Sequence, residues 1–197
     1  SGLSTNSIEA VINEKKTETK EGYKNMILLI CYFMTMDAAT ISTEILTLKK
    51  EKILKRTIAT SNSDLMIFGS LFISAFIIQG FISSIAFLAL SNIGHVPNVT
   101  LLQGILIIFL SSMISTSVVV ATTRWIKSSV IANLITIVWG LFIFAVAQLG
   151  SHSSEFKNIP SIINKLSLIS PFTWFLKIID GKNVLLSIMV IMLMSLV

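Results

Sequence analysis

The chain has 197 residues, of which 53% are hydrophobic and only 13% charged, with a net charge of +5 and a mean hydropathy of +0.84. A soluble domain carries about a quarter charged residues, so this chain cannot cover a water-facing surface, and its class is integral membrane protein. The cations are clustered, which excludes the spread basic face of a nucleic-acid binder. A single cysteine, Cys31, excludes a disulfide framework or a Cys-based zinc site.

Residues 1–24 are polar: Glu9, Glu14, Glu18 and Glu21 balance Lys15, Lys16, Lys20 and Lys24. Ile8, Val11 and Ile12 recur at helical spacing, which fits a short amphipathic helix or a solvated external tail. Apolar segments follow at about 25–48, 65–90, 100–123 and 129–149, each near the 20 or so residues needed to cross a bilayer core. A fifth, 184–197, is too short to span. Gly94, Pro97, Gly150, Pro160, Pro171 and Gly181 punctuate the breaks. The start at Ser1 and the apolar finish at Val197 read as a fragment, lacking one earlier helix of an expected six.

The connections alternate in charge. Lys49, Lys50, Lys52, Lys55 and Arg56 fall within eight residues after the first segment, and Arg124-Trp125-Ile126-Lys127 follows the third. Short cytoplasmic loops are enriched in Lys and Arg, so both connections are expected inside. The 91–99 connection has neither residue and is expected outside, as are the tail and the long 150–183 connection.

The 46–65 stretch is more than a topogenic charge. Leu48, Ile53, Leu54, Ile58 and Leu65 stand among its cations at helical intervals, and Ser61, Asn62, Ser63 and Asp64 supply capping chemistry for the next helix. An amphipathic helix at the inner interface is the physical reading, its cations toward headgroups or an acidic partner.

The stretch "EKILKRTIATSNSDLMIFGSLFISAF" resembles the coupling-helix region of ABC-2 type permeases, the membrane subunits of many bacterial ABC exporters. The matching residues are Glu51, Arg56, Thr57, Ile58, Ala59, Thr60 and, farther on, Gly69, Ser70 and Leu71. The chain departs from the family pattern at Lys52-Ile53, where Gly-Thr is frequent, at Ser61 for Pro, and at Ser70 for Lys. "NKLSLISPFTWFLKII" (164–179), with Pro171, Trp174 and Phe175, resembles the external helical segments before that family's last helix.

The resemblance implies an all-α permease bundle with a cytoplasmic coupling helix at about 49–60 and an external re-entrant segment at about 151–182. It implies two kinds of partner, a second permease half (homo- or heterodimer) and cytosolic ABC ATPase subunits that bind the ATP and magnesium. Glu51, Lys52, Lys55, Arg56, Thr57, Ala59 and Thr60 would then meet the ATPase, and the location would be a bacterial plasma membrane. This chain itself has no Gly-rich phosphate loop.

Asp37 is the one acid deep in an apolar segment, where an ionised carboxylate costs roughly 2.5–3.5 kcal/mol or more. Gln79 lies at similar depth in the second segment, and Ser111, Ser112, Ser115, Thr116 and Ser117 in the third. Asp37, Gln79, Ser112, Ser115 and Thr116 are candidates for a translocation path. Ordinary inter-helix hydrogen bonding, worth ~0.6 kcal/mol per contact, is the competing role. Glu44 is expected near Lys49 or Arg56.

Two other functions compete. An ATPase-independent carrier or scaffold would use Asp37 as a proton or cation site. An intramembrane enzyme would need paired carboxylates or a Ser–His pair at depth, whereas His95 and His152 both fall in loops. Neither histidine has the further ligands of a metal site.

Overall fold

The computed structural model describes residues 3–51, 64–93, 98–151 and 161–196. Among them the chain is helical and has no strand. The helices are α1 (Leu3–Lys50), α2 (Asp64–Ile93), α3 (Asn98–Trp125), α4 (Ser129–Ser151), α5 (Ser161–Ser167), α6 (Pro171–Ile179) and α7 (Val184–Met194). Four stretches are long and apolar enough to cross a membrane: Glu21–Lys50, Phe68–Ile93, Thr100–Trp125 and Ser129–Ser151. The chain is an all-α, multi-pass membrane protein.

The first boundary differs from the expectation. No break separates a tail ending at residue 24 from a first span, because α1 runs unbroken from Leu3 to Lys50. The sequence offers no reason to stop: no proline occurs before Pro97, and Gly22 is the one glycine inside α1. Once a helix is nucleated, each further residue adds a hydrogen bond at little cost, so the span extends into the polar segment. At the other end, Lys49 and Lys50 form the last turn of α1 instead of opening a separate helix. Glu51 sits in the turn that follows, its N–H bonded to the Thr47 carbonyl. The rest of the expected coupling helix, 52–60, lies outside the described residues, as do Ser61–Ser63 and both histidines. The later helices run one to three residues past their expected ends, except α7, which stops at Met194.

α1 organises the bundle. Its buried residues are Tyr23, Ile27, Cys31, Met34, Ala38, Ser42 and Ile45, with Leu28, Thr35, Ala39 and Leu46 beside them. That spacing is one broad face of a helix, and it packs between α3 and α4. α1 and α3 run parallel and are bonded along their length. The Tyr23 hydroxyl donates to the Thr100 carbonyl, Ser115 Oγ to the Met34 carbonyl at 2.8 Å, and Ser42 and Thr122 share a hydroxyl bond at 2.7 Å. Lys49 Nζ closes the series on the Thr123 carbonyl at 2.9 Å, with the Phe68 ring centroid 4.7 Å away. Thr123 belongs to the last turn of α3, whose unpaired carbonyls and negative dipole end favour a cation. Lys49 thus joins α1, α2 and α3 rather than pairing with Glu44, which stays exposed.

The connection from α5 to α6 turns back inside the bundle. Ser170 Oγ donates to the Ile143 carbonyl at 2.8 Å, eight residues or about 12 Å along the helix from the Ser151 end of α4. From there α6 climbs outward, its Pro171, Phe172, Phe175, Leu176, Ile178 and Ile179 all buried. The ring of Phe172 meets those of Phe144 and Phe175 edge-on. At the top, Gln103 bonds the Ile178 carbonyl, and Lys24 pairs with Asp180 at 2.8 Å. Irregular backbone within an apolar bundle persists when its polar groups find partners, and several of them do here. The N–H groups of Leu168, Ile169 and Ser170 bond three residues back, while the Trp174 indole N–H donates to the Leu168 carbonyl at 2.8 Å.

Candidate functional site: a polar level across the bundle

Asp37, Gln79, Ser112 and Ser115 come from three different helices and meet near one level. Asp37 is 13 residues, about 20 Å of helix, from the Lys50 end of α1, so it stands near the middle of its span. The centre of this level is a backbone atom. The Met34 carbonyl accepts from Gln79 Nε2 at 2.8 Å and from Ser115 Oγ at 2.8 Å, which ties α2 and α3 to α1 through one oxygen. Ser112 Oγ donates to the Phe76 carbonyl of α2 at 2.7 Å. Thr116 bonds within its own helix, to the Ser112 carbonyl at 2.9 Å.

Burial divides the set. Gln79, Ser111, Ser112 and Ser115 are buried, and Thr116 is half-buried. Asp37 is exposed at the surface of the chain, with the Gln79 side chain in hydrogen-bonding reach. It belongs to an open stripe along the described side chains of α1: Leu29, Phe33, Asp37, Thr40, Glu44 and Thr47. Steps of three and four residues place these side chains on one helix face. The neighbouring Met36 is turned to α4, where its methyl would lie 2.7 Å from a Cβ added at Gly140. The stripe is therefore bordered by α2 on the Asp37 side and α4 on the Met36 side.

Away from this level, a concavity of about 410 Å³ opens between α3 and α4 beside the hairpin turn. Thr122, Trp125, Thr136, Trp139, Ile169 and Pro171 are among the residues that line it, and none of its lining residues carries a charge or belongs to the Asp37 stripe. Among the described residues no cluster of three or more His, Cys, Asp or Glu could hold a metal ion. Lys177, at the hairpin, lies over the Trp174 ring at 3.6 Å, and loss of hydration there pushes its ammonium below the usual lysine range.

Of the residues expected at an ATPase contact, Glu51 is described and exposed, at the Lys50 end of the bundle. Lys52, Lys55, Arg56, Thr57, Ala59 and Thr60 lie outside the described residues. The basic groups of two connections stand at this same end: Lys49 and Lys50 close α1, Arg124 closes α3, and Lys49 bonds the α3 terminus directly.

A sequence-family model described as "ABC-2 family transporter protein" matches residues 2–197. The chain belongs to the ABC-2 transporter family. This ABC-2 permease is thus a membrane transport component of an ABC transporter. No curated protein and no solved structure matches the chain.

Two groups that tie the permease's helices together, one at the polar level and one at the Lys50 end, carry no sequence signal. The Met34 carbonyl is a backbone group, and a methionine in an apolar run looks like any other packing residue. Lys49 reads as one cation of a cluster, and only the end of α3 beside it shows its structural task.

Proposed function

We propose that this chain is the permease half of an exporter whose Lys50 end faces the cytosol. There it meets an ABC ATPase through the segment that begins at Glu51 and includes Lys52, Lys55, Arg56, Thr57, Ala59 and Thr60. The supporting observation is that the cations closing α1 and α3 stand at one end of the bundle, joined by the Lys49–Thr123 bond. Cation-rich short loops mark the cytoplasmic side. A push on the segment after Glu51 would reach α1, α2 and α3 together, because Lys49 touches all three. ATP-driven closure of the motor would thus be passed on as rigid-body tilting of these helices. A second permease half would complete the transporter, and Asp37, Gln79, Ser112, Ser115 and Thr116 would border the path of the cargo. In this reading Ser112 and Ser115 hold the wall together, and the open stripe of α1 is the surface that cargo meets.

Two measurements test this. Cys31 is fully buried, so a membrane-impermeant maleimide should ignore it. Lys52→Cys should then be labelled after permeabilisation of cells and not before; labelling of intact cells would reverse the orientation. The double variant Lys55→Glu/Arg56→Glu should lose co-purification with the ATPase and lose transport while still inserting in the membrane. Unchanged capture of the ATPase would remove the coupling role.

A further inference from the structure

The open stripe of α1 poses a chemical problem. Its midpoint is an acid, on a helix packed between α3 and α4. Facing lipid, an ionised Asp37 would be strongly disfavoured, and Glu44 lies two turns away on the same stripe. The one basic side chain of this half of α1 with described partners, Lys49, is turned away to Thr123 and Phe68. The stripe therefore presents two acids, and no Lys or Arg occurs between Leu29 and Thr47.

Behind Asp37 stands a second group short of a partner. Gln79 is 92% buried, since 8% of it is exposed, and its Oε1 has no hydrogen-bond donor. Reversing the amide offers no remedy, because the Met34 carbonyl needs the N–H end. A buried amide oxygen without a donor loses the hydrogen bond that water would give it. The same amide is within reach of Asp37, and α1 packs less closely on α2 than on α3 or α4. A small separation of α1 from α2 would open Oε1 to a donor already bound at Asp37. One turn along the stripe, Phe33 is 58% exposed and offers a ring face, which attracts cations.

Resting on the permease reading above, we propose that Asp37, Gln79 and Phe33 receive a cationic hydrogen-bond donor, a primary ammonium or guanidinium group, carried by an amphiphilic cargo. The carboxylate supplies the countercharge, Gln79 Oε1 a second acceptor, and Phe33 with Leu29 the apolar contact. The same cation could arrive on a lysine or arginine of the second permease half, and competition by a small amine distinguishes the two sources.

The test is equilibrium binding of radiolabelled dodecylammonium to the full chain in nanodiscs of zwitterionic lipid, with empty nanodiscs subtracted. Dodecylammonium should displace the saturable component at least tenfold better than dodecanol. Dodecyltrimethylammonium, with charge but no donor, should fall between them. Asp37→Asn should abolish the saturable component, Asp37→Glu should retain part of it, and Gln79→Leu should weaken it several-fold. Equal competition by amine and alcohol in the unmodified chain overturns the proposal, whether or not the variants fold. So does saturable binding that survives Asp37→Asn, or amine binding that disappears once the second permease half is present. Failure of the chain to capture an ATPase would defeat the parent reading instead, and amine binding does not depend on that result.

Discussion

α1 and α2 are both long spanning helices, yet they meet opposite surroundings. Half of the most apolar window of α1 is buried within the chain, against 22% for α2. The open residues of α2 include Ile73, Ile77, Ile78, Phe81, Ile82 and Ile85, an apolar surface that lipid covers without cost. Among its described side chains, α1 leaves open a narrow stripe that carries Asp37 and Glu44. Exposure on a single chain thus has two meanings in a membrane. An apolar open face belongs to lipid, whereas an open face with an acid at mid-depth must meet protein, water or cargo.

The comparison breaks most decisively if an acid is moved to the other helix. Ile78 is 57% exposed and neighbours Gln79, so Ile78→Asp puts a carboxylate at the Asp37 level on the lipid side. It should cost about 3 kcal/mol and lower membrane insertion measured by protease protection or glycosylation-tag reporters. Normal insertion would show that the α2 face is not lipid-covered. Next in size is Gly104→Ala, at the seam between α2 and α3. A Cβ there would lie 2.3 Å from Cζ of Phe87, whose ring is fully enclosed. The expected loss is about 2 kcal/mol, typical of overpacking, read as a lower thermal unfolding midpoint. Gly104→Ser should behave alike.

In the hairpin, Phe172→Ala should cost about 2 kcal/mol. Lipid and protein interior are equally apolar, so the water-transfer part is missing and the cavity part remains. Protease sensitivity at the α5–α6 turn would report it. The smallest effect sharpens the comparison instead. Gln79→Leu removes the α1–α2 bond together with the unpartnered oxygen, two opposing changes, so stability should move by roughly 0.6 kcal/mol or less. A large destabilisation would mean that Gln79 has a structural weight its contacts with Met34 and Asp37 do not account for.

Much of the fold was legible from hydropathy. The spans, the basic ends of α1 and α3, and the segment around Pro171 and Trp174 all stand out in the chain. Other features could not be read there. The continuity of α1 through residue 24 was hidden because a polar segment without proline is compatible with both a tail and a helix. The hairpin could be expected from its proline and aromatics, but its depth rests on Ser170 reaching the Ile143 carbonyl, a backbone partner 27 residues away. At the candidate site, Asp37, Gln79, Ser112 and Ser115 were recognisable as polar residues at similar depth. Their division into buried ties and an open acid was not.

By itself the sequence determined that this chain lives in a membrane, which stretches cross it, and where its cations cluster, because hydrophobic length and charge act residue by residue. Only the tertiary structure decided that α1 sits between α3 and α4, that α2 flanks them, and that Asp37 faces outward beside an unpartnered amide oxygen. The physical reason is that lipid tails and a protein interior are equally apolar. A helix that is greasy all round does not say which side meets protein, and that information lies in backbone carbonyls and packing contacts that no residue pattern spells out.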